Sequence, residues 1–142
     1  MTINLSDNSP RISYTVAQGA TQTTFAVPFE FFDDADLNVY VDGTLKTITT
    51  HYTVSGGSGS TGSVGISVTG ISGGSTVIIT RNIALARTTD FPTSGPFDVT
   101  TLNTELDRFT AQLADQNDQN DRSISLADDY AVASMTLPDK AD

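Results

Sequence analysis

Apolar side chains recur at every second position from about Ile12 to Arg81, and at every third or fourth position from Leu102 to Leu113. One element cannot satisfy both spacings. A strand turns successive side chains to opposite faces, whereas a helix brings i, i+3 and i+4 together. The chain is therefore expected to be mainly β, with a helix after the sheets.

The period-two signal is clear in three places. Leu37, Val39 and Val41 alternate with Asn38 and Tyr40, and Val64, Ile66 and Val68 alternate with Gly65 and Ser67. Val77 and Ile79 face one way, Ile78 and Thr80 the other. Asp42-Gly43 predicts a type I′ hairpin, which needs positive φ at both central residues. Ser55 to Gly62 is rich in Gly and Ser and predicts a long flexible hairpin tip between strands at Tyr52–Val54 and Val64–Val68. Gly70 to Gly74 predicts another turn, and Pro28 predicts an edge strand or a kink. About six or seven short strands with nothing helical between them suggest an antiparallel sandwich or small barrel.

Residues 82–99 form a connector, since Pro92, Gly95 and Pro96 forbid regular structure. Phe91 and Phe97 are expected to hold it against a surface. From Thr101 to about Ser123 the pattern is helical, with Asp98, Thr100 and Thr101 as candidate caps and Glu105 suited to the positive end of the helix dipole. Leu102, Leu106, Phe109 and Leu113 follow 4-3-4 spacing, and Gln116 and Asn120 continue it. In heptad terms Leu102, Phe109 and Gln116 occupy d, and Leu106, Leu113 and Asn120 occupy a. A helix lying on a sheet presents a wider apolar face, so this narrow seam predicts self-association. Burying its four apolar side chains contributes about 6–12 kcal/mol per chain, partly offset by lost freedom on association. The polar layers at Gln116 and Asn120 weaken the seam but fix its register. The triplet Asp115, Asp118, Asp121 reads as a solvated or fraying helix end.

The expected domains are residues 1–97, a β-sandwich with its connector; 98–123, the coiled-coil helix; and 124–142, a polar tail or the first part of a shaft.

Charge narrows the partners. The net charge is −10, with seven acids and four bases over residues 1–97 (net −3) and ten acids and three bases over 98–142 (net −7). Such a chain repels phosphate, so neither nucleic acid nor an anionic membrane is expected to bind it. No apolar run approaches the length of a membrane span. The hydrophobic fraction of 37 % is low, which predicts a modest core and some apolar surface awaiting a partner. Without cysteine there is no disulfide or thiolate site. The first residues, Met1 to Tyr14, lack the basic start and apolar stretch of a signal peptide, so synthesis and retention in a cytoplasm are expected.

Chemistry is sparse. Catalysis needs converging groups with tuned pKa values. His51 is the only histidine, and it reads as a surface residue. Asp33, Asp34 and Asp36 lack the glycine and distal glutamate of a calcium loop and read as a solvated turn with local hydrogen bonds. The glycine-rich stretch at 56–62 lacks the lysine of a phosphate loop. No enzymatic activity, cofactor or metal is expected. Arg81 and Arg87 flank the exit of the last strand. They are expected either to pair with the nearby acidic turns or, with Phe91, to touch a partner.

A string of short motifs runs in order: Phe25-Ala-Val-Pro-Phe29-Glu-Phe31-Phe32, Leu37-x-Val39-x-Val41-Asp-Gly, Tyr52-x-Val54, Gly-x-x-Val77-x-Ile79-x-Arg81, Arg87-Thr-Thr-Asp-Phe91, and Leu102-Asn103 opening a helix rich in Gln and Asp. Over residues 10–126 it resembles the N-terminal, virion-anchoring domain of tail fibres and tailspikes in short-tailed bacteriophages of the T-seven (Autographiviridae) type. The resemblance implies a β-sandwich-like anchor that attaches the fibre to the tail hub, an adaptor ring and a nozzle. It also implies a homotrimer with a parallel coiled coil, Leu102, Leu106, Phe109 and Leu113 forming its seam; the heptads alone do not choose trimer over dimer. The virion tail fibre, assembled in the host cytoplasm, is the implied location. Such a fibre also has a shaft and a receptor-binding tip. The chain is thus expected to be a truncated anchor or a short adaptor carrying a separate spike. A carbohydrate-binding, adhesin-like β module is the alternative, drawing on Tyr14, Tyr40, Tyr52 and Tyr130.

Overall fold

The computed structural model describes residues 9–86 and 95–123. Seven strands form two antiparallel sheets, stacked in a sandwich-like body, and one helix follows. The strands are β1 (Arg11–Val16), β2 (Thr21–Phe31), β3 (Leu37–Val41), β4 (Thr44–Leu45), β5 (Thr53–Gly56), β6 (Ser60–Thr69) and β7 (Ser75–Arg81), and the helix α1 spans Val99–Asp121. One sheet has the order β1-β7-β3-β4 and the other β2-β6-β5.

Alternation builds the core. Phe25, Val27, Phe29 and Phe31 point inward from β2 and are fully buried. Val64, Ile66 and Val68 line the same inner face from the neighbouring β6, and Leu37, Val39, Val77 and Ile79 close the space from the other sheet. Tyr52 is buried as well, and its hydroxyl donates to the Leu37 carbonyl at 2.7 Å, joining the two layers. Burial raises the Tyr52 phenol above its ordinary value.

The Asp42-Gly43 turn forms as the sequence predicts, with φ of 49° and 76°. β2 is an edge strand, and its pairing with β6 is irregular between Val27 and Phe31, around Pro28, which has no N–H to give a ladder. Tyr14 from β1 donates its hydroxyl to the Ala26 carbonyl at 2.7 Å, occupying one acceptor of that long strand.

The glycine-rich stretch departs from expectation. β5 and β6 pair as far as Gly56 and Gly62, leaving residues 57–61 between them as the tip, of which Ser60 and Thr61 already belong to β6. The tip is tied down, since Gly59 N–H donates to the Phe31 carbonyl at 2.9 Å. The glycines also make room for an aromatic ring. A Cβ at Gly57 would lie 2.5 Å from the Phe31 ring, and one at Gly62 would lie 2.2 Å from the Ser55 carbonyl and 2.8 Å from that ring. What composition marks as a flexible loop is a close-packed hairpin.

A single 3-10 turn at Asp34–Asp36 joins β2 to β3. Its acids are not all solvated: Asp36 is buried, and its carboxylate accepts from the backbone N–H of Phe32 at 3.1 Å and Asp33 at 2.9 Å.

Candidate functional site: the outer face of the helix

Asp98 starts α1. Its carboxylate accepts from Thr100 N–H at 2.9 Å and from the Thr101 hydroxyl at 2.5 Å. These bonds hold the carboxyl below the ordinary carboxylate value. Twenty-three residues of helix follow without Gly or Pro.

The helix lies across the end of the body where β2 and β7 finish, and it does so through the face opposite the apolar seam. Ala111 and Ala114 are buried there with Glu105, Gln112 and Asp115. Small side chains let the helix approach closely. The contact is fixed by an ion pair: Arg81, the last residue of β7, donates Nε–H to Asp115 Oδ1 at 2.7 Å, with both side chains buried. Arg81 also donates to the Glu30 and Ala111 carbonyls, and its guanidinium carbon sits 5.9 Å from the Phe29 ring centre. Asp115 Oδ2 accepts from Ile83 N–H at 3.0 Å. Burial pushes the Asp115 carboxyl above its ordinary range, while Ile83 N–H and Arg81 pull it back.

Two expectations change here. Arg81 pairs with the helix rather than with an acidic turn, and its side chain is enclosed by the chain itself instead of presented to a partner. Asp115 is not part of a solvated helix end: it is buried at the joint, whereas Asp118 pairs with Arg122 at the surface. The narrow stripe of Leu and Phe hid this contact, because the docking face is made of Ala and polar groups. The only signal available in the sequence was a lone arginine at a strand end and a mid-helix aspartate 34 residues away.

The seam residues stay outside. Leu106, Phe109 and Leu113 are 51 %, 43 % and 63 % exposed, Gln116 and Asn120 are exposed, and Leu102 is half-buried. Gln116 Nε2 donates to Asn120 Oδ1 at 3.2 Å along the surface. Within the described residues of this single chain, nothing covers the stripe. Ile83 of the connector packs on Ala111, and Phe97 is 55 % exposed. Arg87 and Phe91 lie outside the described residues.

His51 is exposed, and its Nδ1 accepts from Thr47 N–H at 3.1 Å. Among the described residues no group of three or more His, Cys, Asp or Glu side chains is placed to hold a metal ion. No described helix is long and apolar enough to cross a membrane. Of the tyrosines, Tyr14 and Tyr52 are engaged as described and Tyr130 lies outside the described residues. Tyr40 lines a groove of about 410 Å³ on the outer face of the four-stranded sheet, with Arg11, Asn38 and Thr80. No protein-family model matches the chain, and a search of curated proteins returns no relative.

Proposed function

We propose that this chain is a structural attachment module, the virion-anchoring part of a short-tailed phage tail fibre or of an adaptor that carries a spike. Three copies join through α1, and the β bodies dock on the tail hub, the adaptor ring and nozzle. One observation carries the association: an apolar stripe faces outward on a helix whose opposite face its own body already holds. A stripe needed for folding would have been the face turned inward.

The flanks of the stripe support a partner identical to the chain itself. The positions bordering a and d are Asn103, Thr110 and Asn117 on one side and Glu105, Gln112 and Gln119 on the other, and Glu105 is buried. Copies with a net charge of −10 repel one another, and acids beside the seam would add to that. The aspartates of α1 are placed away from it. Avidity then serves docking, because three linked bodies bind a ring of sites far more tightly than one does, without new contacts.

Light scattering on the full chain is the test. We expect a trimer that becomes monomeric on Leu106→Asp with Leu113→Asp, while circular dichroism shows the β body still folded. A wild-type monomer at all concentrations refutes the association. Tyr40 beside Arg11 in the outer-face groove favours a second reading, binding of an acidic glycan. Glycan-array signal lost on Tyr40→Ala would support it.

A further inference from the structure

Leu85 belongs to the connector, not to the helix, and no heptad includes it. Among the described residues it is the most exposed large apolar side chain, at 83 %. It is nevertheless held in place. Gln112 Nε2 donates to the Ala84 carbonyl at 2.8 Å, Ile83 N–H donates to Asp115, and Ile83 itself is buried against Ala111. The connector is thus strapped to the helix at Ile83 and Ala84, the two residues before Leu85. Leu85 comes to rest beside Phe109, Gln112, Leu113 and Gln116, and together they line a groove of about 330 Å³ along the seam.

We infer that this groove receives the helix of a second copy of the chain, so that Leu85 is an interface residue lying outside the coiled coil; the inference rests on the trimer reading above. The groove walls carry no charge, which suits an identical acidic neighbour and gives a basic partner nothing to pair with. Leu85 lies on the Gln112 side of the seam. In a parallel coiled coil that side faces the opposite flank of the next helix, here Thr110 and Asn117, both uncharged. The contact also ties each β body to its neighbour's helix, fixing how the body is turned about the trimer axis.

Sedimentation equilibrium of the full chain tests this, comparing wild type with Leu85→Ser and with Leu45→Ser, a control at another exposed leucine. We expect Leu85→Ser to weaken assembly by about tenfold or more per chain, the loss of one buried leucine contact, and Leu45→Ser to leave it within about twofold. Both positions are exposed in the single chain, so folding is not at issue. A trimer indifferent to Leu85→Ser overturns the inference alone and leaves the groove to some other protein. Equal weakening by both variants also overturns it. A wild type that never associates overturns the trimer reading and this inference with it.

Discussion

Arg81 places a full positive charge inside the protein, and Asp115 is its counter-charge. Removing one partner of such a pair leaves the other buried and unmatched, which is more damaging than the pair is stabilising. Asp115→Asn should therefore lower unfolding free energy by about 3–5 kcal/mol in urea titration, whereas Arg81→Met combined with Asp115→Leu should recover only part of the loss, because the Ile83 N–H then lacks its acceptor. Gly62→Ala tests the hairpin in the same way. Its added methyl meets the Ser55 carbonyl and the Phe31 ring, and overpacking of this kind costs about 1–3 kcal/mol, read as a shifted urea midpoint. Neither site announces itself locally. The ion pair spans 34 residues, and a glycine that makes room for a ring is indistinguishable in the sequence from one that loosens a loop.

Among the elements, the strands were legible because alternation and turn chemistry agree. Val64 to Val68 and Val77 to Thr80 face as their spacing requires, and Asp42-Gly43 turns where it should. The helix was legible in extent and in its exposed stripe, but not in its docking, since Ala111, Ala114 and Asp115 carry no apolar periodicity. Its start has an acid dependence of known sign. The Asp98 carboxyl is held below its ordinary value of 3.8 when folded. Its contribution is thus present above that value and is lost as pH falls through the lower, folded one. Far-UV circular dichroism in acid should show helix loss in the wild type. Asp98→Asn, which caps without a titrating proton, should remove that part of the loss.

For the whole molecule, charge is the dominant long-range term. Chains with a net charge of −10 oppose their own association, and salt screens that opposition beyond about 10 Å at 0.1 M. The proposed trimer should accordingly tighten as ionic strength rises, measured by sedimentation equilibrium. Assembly driven by ion pairs between unlike charges would loosen instead. The architecture of two sheets and a helix followed from the pattern of the chain. The relation of helix to body did not, because it rests on a buried charge pair and the polar contacts around it, which carry no periodicity. That pair also determines where tension goes. A pull along the helix reaches the body at Arg81, the final residue of β7, and β7 lies between β1 and β3, bonded to both. The load enters an inner strand of the sheet and is shared by two ladders instead of one.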